Sequence, residues 1–352
     1  MKHTHFILFI ALFTAFFSSC STDVDLYSDY KDVPIIYAML NPRADTNFVK
    51  ITRAFCGTNE NPIDANEVAL IADSSNYPGK LDAQIIELKS VHGELYEPTG
   101  RTFVLDTITL HNKEEGVFYS PDQLIYYTTE PFNTGAGENR YKYKLVVVKP
   151  DGDSLTAQTA MVGNAEFAIM TSGVGFQQAP TNELRKIMFR ADNFASIYEV
   201  TMQFNYRETL NGNGTKKKNI KRSFGARNIS EFHKLEGTEN SYYLEYSVNW
   251  LFNALAIAIG GDTIYDANHP NVIRYIDDFV IYISAAGDDL TYYYYANQAQ
   301  MSSPMSLVSV YSNINGGYGL FSSRTQIEKT AKLSPNTKRE LLGMSSWGFK
   351  EQ

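Results

Sequence analysis

The sequence predicts a mainly β protein, with an N-terminal Ig-like β-sandwich followed by a second antiparallel β-rich domain that carries one or two short helices. Three observations lead there. Tyr and Phe are abundant, 24 and 21 residues against 12 Pro, and aromatic rings pack well on a pleated surface. Apolar and polar residues alternate with period two through much of the chain, the pattern of strands with one buried face. Clusters of Gly, Asn, Asp and Pro punctuate these runs at hairpin spacing.

After a polar stretch from Ser21 to Asp32, the run Val33–Leu40 reads as the first strand, closed by Asn41-Pro42. A second run, Phe48–Phe55, pairs with it as a hairpin. Residues 57–80 are rich in Asn, Asp, Pro and Gly and read as an elaborated loop. Ala83–Leu88 and Val91–Tyr96 flank a turn at Gly93. The strongest hairpin of this half joins Tyr141–Lys149 to Ser154–Met161 around Pro150-Asp151-Gly152. Its residues Tyr141, Tyr143, Leu145 and Val147 share one face. Short strands at this spacing predict a sandwich over 33–163. The stretch 164–180, with Gly173, Gly175 and Pro180, reads as the junction to a second domain at 181–325.

That second half alternates more cleanly. In Ile197–Arg207 the residues Tyr198, Val200, Met202, Phe204 and Tyr206 face one way and polar residues the other. Asn211–Gly214 reverses the chain into Asn219–Phe224, and Tyr242–Val248 alternates again. The segment Trp250–Ile259 breaks the pattern. Trp250, Ala254, Leu255 and Ala258 form a helical stripe ended by Gly260-Gly261. Strands resume at Val272–Ile276, Phe279–Ser284, Leu307–Tyr311 and Tyr318–Ser322. The segment 326–352 reads as a polar, partly helical tail, with Ser334 as N-cap, Pro335 in the first turn and Gly343 after it.

The first twenty residues speak to location. Lys2 precedes an apolar run from Phe6 to Phe17, followed by Ser18, Ser19 and Cys20. The run is shorter than the about 20 apolar residues of a permanent membrane helix, so it reads as the core of a secretory signal. A cysteine directly after small residues makes this a bacterial lipoprotein signal. Residues 1–19 are then removed, the Cys20 thiol takes a diacylglycerol, and the new amine takes a fatty acyl chain such as palmitate. Residues 20–32 become a lipidated tether. Several acyl chains, at about 0.8 kcal/mol per buried CH₂, make such anchoring stable. The mature chain, about 330 residues, has the length of two ordinary domains. Its remaining thiol, Cys56, has no intrachain partner and reads as a small buried hydrophobe. A net charge of −8 argues against nucleic acid as a partner.

Catalytic signatures are missing. No HExxH, GxSxG, P-loop or GxGxxG occurs, and the sequence predicts no catalytic set, no metal and no cofactor. The pairs Asp277-Asp278 and Asp288-Asp289 would point to opposite faces of a strand, so they read as strand-end and turn residues. Asp262, Asp266 and His269 share a loop without EF-hand spacing. Two surface features are candidate binding residues. Lys216, Lys217, Lys218, Lys221 and Arg222 cluster on a hairpin. They suit phosphate head groups or an acidic partner, or else a charged edge that discourages strand pairing. Tyr292, Tyr293, Tyr294 and Tyr295 would put two rings on each face of a strand, to stack on a sugar or peptide or to pack the sheet.

The segment Ser303–Ser322 carries a distinctive motif: Pro304, Val310-Tyr311-Ser312-Asn313-Ile314, Gly316, Gly317, Gly319 and Phe321. It resembles the closing signature of a lipoprotein family of Bacteroidota-type outer membranes. That family has a domain of unknown function and is often encoded beside TonB-dependent receptors. The lipidated N-terminus, the early Ig-like domain and the Tyr-Lys-Leu-Val strand with its Asp-Gly turn extend the resemblance over most of the mature chain. It implies location and partnership: a non-catalytic outer-membrane lipoprotein acting with a TonB-dependent transporter or another outer-membrane barrel. The glycines themselves predict a tight turn and close approach of two strands. Surface-exported members often carry an acidic run after the cysteine, whereas Ser21–Asp25 has only Asp23 and Asp25, which leaves the leaflet open. Two other classes stay in play. A fimbrillin-like adhesive subunit is also a tandem β-sandwich, although the tail after Ser334 does not resemble a donor strand. A glycan-acting enzyme would need two carboxylates about 5–10 Å apart in a cleft.

Overall fold

A computed structural model describes residues 33–54, 70–116, 119–120, 122–136, 139–167, 174–210, 214–259, 272–302 and 311–351. The expectations at Cys20, Cys56, Asp262, Asp266 and His269, and the first half of the glycine motif (303–310), lie outside the described residues. Within them the chain is mainly β, with antiparallel sheets and few short helices, as the alternation predicts.

The first half supplies β1 (Val33–Leu40), β2 (Asn47–Ala54), the one-turn helix α1 (Ala72–Ser75), β3 (Asp82–His92), β4 (Leu95–Val104), β5 (Asp106–Leu110), β6 (Gln123–Thr128), β7 (Gly135–Ala136), β8 (Asn139–Val148) and β9 (Ser154–Ala160). One sheet runs β1-β2-β6-β5. The other runs β4-β3-β8, with β9 also paired to β8. These are the orders A-B-E-D and C′-C-F-G of an immunoglobulin-type sandwich. Alternate residues fill the space between the sheets: Ile36, Ala38 and Leu40 from β1 meet Ile85, Phe103, Leu145 and Val147. The predicted Pro150-Asp151-Gly152 turn is present, with Gly152 at φ 90°.

Tyr143 locks this sandwich. Its hydroxyl donates to Glu87 Oε2 at 2.8 Å and accepts from the Asn133 backbone N–H at 2.8 Å. Glu87 is buried, and its carboxylate also accepts from Asn133 Nδ2 (2.8 Å) and Thr99 Oγ1 (3.0 Å), with Arg101 at 3.7 Å. A buried carboxylate needs such partners to offset its lost hydration. Burial, then Glu87, pushes the Tyr143 phenol far above its ordinary value. The bond from an F-strand tyrosine back to the preceding connection is the geometry of a tyrosine corner.

The second half supplies β10 (Glu166–Phe167), β11 (Leu184–Arg190), β12 (Ala195–Leu210), β13 (Thr215–Asn228), β14 (His233–Lys234), β15 (Ser241–Ser247), α2 (Trp250–Ile259), β16 (Val272–Gly287), α3 (Asp288–Ser302), β17 (Tyr318–Ala331), α4 (Pro335–Gly343) and β18 (Phe349–Lys350). The sheet β10-β11-β15-β14 packs on β12, β16 and β17, with α2 and α4 closing the core. The expected inward face of β12 is buried throughout: Tyr198, Val200, Met202, Phe204 and Tyr206. The helix at Trp250–Ile259 and the Ser334 N-cap are as expected, the Ser334 hydroxyl accepting from Thr337 N at 3.2 Å.

Four expectations need correcting. The two strands at 272–276 and 279–284 are one strand, β16, whose pairing with β12 shifts register between Phe204 and Tyr206. That irregularity sits at Asp277 and Asp278, and their carboxylates accept from Arg207 Nε and Asn205 Nδ2, each at 2.6 Å. The tyrosine run is helical, not extended. Strand β16 already ends at Gly287, and Asp288 and Asp289 then occupy a first helical turn, where carboxylates are favoured. The segment 326–352 is not a free polar tail. Strand β17 continues to Ala331, Leu341, Trp347 and Phe349 are buried, and β18 pairs with β16. Finally, the described part of the stretch 164–180 is packed: Val174 and Phe176 lie in the second core, and Thr337 Oγ1 both accepts from Phe176 N (2.7 Å) and donates to its carbonyl (2.8 Å).

One strand joins the halves. The first part of β17 pairs in parallel with β1, from Ile35 opposite Tyr318 to Leu40 opposite Ser323. Its remainder pairs with β16, beginning at Arg324 opposite Ala286. The result is a single nine-stranded sheet with an N-terminal strand in its interior. The glycine motif makes the seam possible. A Cβ on Gly319 would lie 1.8 Å from the Ile36 carbonyl oxygen, and one on Gly317 would lie 2.8 Å from that of Pro34. Gly319 also sits at φ +121°, which L-residues rarely adopt. Ser323 adds a second tie, accepting from Val162 N (3.0 Å) and donating to the Ala160 carbonyl (2.5 Å). Asp192 adds a third, its buried Oδ2 accepting from Gly163 N (3.0 Å) and Asn164 N (2.6 Å).

Gly319→Ala is therefore expected to destabilise the protein by about 3 kcal/mol in a urea titration, from backbone strain plus the clash. Gly343→Ala, where a Cβ meets nothing within 4 Å, is expected to stay within about 1 kcal/mol of wild type. Equal midpoints for the two variants would mean that the seam relaxes freely.

Candidate functional site

The predicted basic cluster lies on β13, an edge of the large sheet. Alternation splits it: Lys216, Lys218 and Arg222 fall on one face, Lys217 and Lys221 on the other. Lys218 Nζ lies 4.0 Å from Glu208, and the Arg222 guanidinium stacks over Phe224 at 4.6 Å. Burial lowers the Arg222 pKa from its ordinary value. The cluster thus sits on an exposed, lysine-bearing edge strand.

The four tyrosines radiate around α3 and so have separate surroundings. Tyr292 packs against Tyr311 (ring centroids 5.6 Å apart), and the Tyr295 hydroxyl donates to Glu231 at 3.4 Å. Tyr294 lines a cavity of ≈ 200 Å³ with Ala226 and Arg324. Tyr293 meets the edge of Tyr37, centroids 6.4 Å apart. Ala226 and Lys216 lie on the same strand about 33 Å apart, so the structure does not gather the two predicted patches into one site.

It gathers a different set. The outer face of β1 and β2 presents Tyr37, Met39, Phe48, Lys50 and Thr52, because their neighbours Ile36, Ala38, Val49 and Ile51 point into the core. Tyr37 is in register with Lys50 on one side and Leu320 on the other. Two cavities meet at Tyr37 and Lys50. One, of ≈ 380 Å³, extends to Met39, Phe48 and Arg324; the other, of ≈ 500 Å³, extends to Arg53, Lys113 and Gln123.

The larger cavity is electropositive. Lys50 Nζ donates to Gln123 Oε1 at 3.4 Å, and Lys113 Nζ donates to the Tyr119 carbonyl. Burial, then repulsion from Lys50, lowers the Lys113 pKa. The Arg53 guanidinium lies 5.5 Å from the Tyr77 ring centroid and donates through Nη2 to the Asp73 carbonyl at 2.5 Å. Asp122 also lines the cavity, with His111 Nδ1 at 2.6 Å from its Oδ1. Burial, then the Tyr293 hydroxyl, raises the Tyr37 pKa. Sequence reasoning passed over this set. Tyr37, Lys50 and Thr52 lie in the two runs read as a hairpin, and nothing in the sequence connects them to Lys113.

The described half of the glycine motif is structural. Tyr311 donates to Asp289 Oδ1 at 2.7 Å, fixing the start of α3. The Asn313 side chain accepts from Phe321 N (2.9 Å) and donates to the Phe321 carbonyl (2.7 Å). Burial raises the Asp289 pKa, against the lowering effect of hydrogen bonds from Tyr311, Asn313 and Thr159. Among the described residues no group of three or more His, Cys, Asp or Glu is placed to hold a metal ion, and no helix is long and apolar enough to cross a membrane.

No family profile and no curated protein matches this chain. Among solved structures it is similar to the "Crystal structure of calcium binding domain CBD12 of CALX1.1", at 7% identity over 82% of this chain and 98% of that chain, with a TM-score of 0.15.

The raised Asp289 pKa sets the sign of a pH effect. The fold favours the protonated carboxyl, so this contribution is full below the ordinary value of 3.8 and is lost as pH rises through the raised one. Asp289→Asn is expected to melt at a higher temperature than wild type at pH 7, with the two curves converging toward pH 3.5. A difference of the same size at both pH values would remove burial of this carboxylate as the cause.

Proposed function

We propose that this chain is a non-catalytic lipoprotein of a bacterial outer membrane, held there through Cys20 and acting beside a β-barrel transporter of the TonB-dependent kind. The N-terminal sequence carries the reading: a lysine, an apolar run of secretory length, Ser18-Ser19-Cys20, then a polar tether. The tether between Cys20 and Val33 reaches at most about 45 Å when extended, so the folded body stays close to the bilayer. The glycine motif supports the partnership through its resemblance to lipoproteins encoded beside such receptors. The basic edge of β13 and the exposed rings of Tyr292 and Tyr295 are the surfaces assigned to the partner, since charged and aromatic groups steer and anchor interfaces.

Palmitate labelling of wild type against Cys20→Ser tests the anchor: label in the first and not in the second is expected, and equal label refutes it. Replacing Lys216, Lys217, Lys218, Lys221 and Arg222 with serine is expected to weaken co-purification with a barrel protein and make it less salt-sensitive, because screened charge contacts are lost. Crosslinked outer membranes that enrich no barrel would replace the transporter reading with the adhesive one.

A further inference from the structure

We propose that the cavity over the outer face of β1 and β2 binds a small carboxylate-bearing ring, stacked on Tyr37 and held through its acid group by Lys50 and Lys113. Nothing in this inference depends on the membrane anchor or on a barrel partner.

The size is right for such a ligand. At ≈ 500 Å³ the cavity lies within the range of small-molecule sites, which bury most of a compound of roughly drug size. Its chemistry is two-sided. Ile35, Ala54 and the Tyr37 ring supply apolar surface, and Tyr37 is 43% exposed although it lies in the middle of a sheet. A ring with a flat apolar face would cover that surface, whereas a bare phosphate would leave it unused.

The charge is right as well. Three cations line one opening in a protein whose net charge is −8. The carboxylate on the same wall, Asp122, already has His111 against it. Lys50 lies near enough to Lys113 to disfavour the Lys113 charge, after burial, and a bound anion would relieve that repulsion. A charge-assisted hydrogen bond to a carboxylate is among the stronger polar contacts available.

Two sources share this chemistry: a uronic-acid sugar and a hydroxylated aromatic acid. Isothermal titration of the full-length protein in detergent separates them, with a glucuronic-acid disaccharide, 3,4-dihydroxybenzoate, a neutral glucose disaccharide and inorganic phosphate as probes. One acidic ring compound is expected to bind at least tenfold more tightly than the neutral sugar and phosphate, with affinity falling as salt rises. Lys50→Gln and Lys113→Gln together should weaken it at least tenfold. Tyr37→Ala should do the same while Tyr37→Phe retains binding, with melting curves confirming that each variant is folded. Cys20→Ser should bind like wild type, so a failed anchor and a failed site give different results. Equal binding of the neutral sugar, binding of phosphate that ignores Tyr37→Ala, or no binding by either acid would each overturn the proposal.

Discussion

The parallel pairing of β1 with β17 organises the rest of the molecule. Strand β17 follows β1 by almost the whole described chain, yet the two backbones approach so closely that only hydrogen fits at Gly317 and Gly319. Along its length β17 passes from one partner to the next, leaving β1 after Ser323 and meeting β16 at Arg324. A sandwich that would otherwise end in an edge at β1 is thereby continued into the second half, and an exposed edge is covered. The position of Leu320 beside Tyr37, the reach of Ser323 to residues 160–162 and the Asn313–Phe321 bonds all follow from that register.

Two buried charged groups inside this frame are closely paired. Glu87 has four neighbours that donate to it or balance its charge. Arg274, almost wholly buried, meets Glu208 at 2.8 Å and donates to the Trp347 carbonyl at 2.9 Å. That second bond ties the C-terminal segment to the start of β16, where β18 also pairs. Each such group would lose far more in desolvation than it gains if one partner were missing. The arrangement therefore fixes which segments lie against each other as well as holding them there.

The same frame decides what is left on the surface. Helix α3 lies against β12, β16 and β17 and reaches β1 through Tyr293 at Tyr37. Among the described residues, the rest of this face holds Tyr37, Phe48 and Lys50, with Tyr293 at its border. The paired carboxylates at 277–278, on β16, are engaged by Arg207 and Asn205.

Periodicity, aromatic content and turn or cap residues together determined the mainly β class, the inward face of β12, the β8–β9 hairpin and the helices at Trp250 and Pro335. In each, the local pattern and the turn or cap residues agree with the final fold, so no distant contact was needed to decide them. The tyrosine run shows the limit: four consecutive aromatics have no period, and the end of β16 together with the helix-starting aspartates settled the matter. The glycines of the closing motif announced a close approach without naming its partner, because β1 lies almost 300 residues away. The larger cavity was out of reach for the same reason. Its cations come from a strand and from a loop that share no pattern, and only the packing of β2 against β6 sets Lys50 beside Gln123 and Lys113. Local backbone and side-chain preferences decide the elements; the cavity is lined by residues that meet only once the sheet has closed.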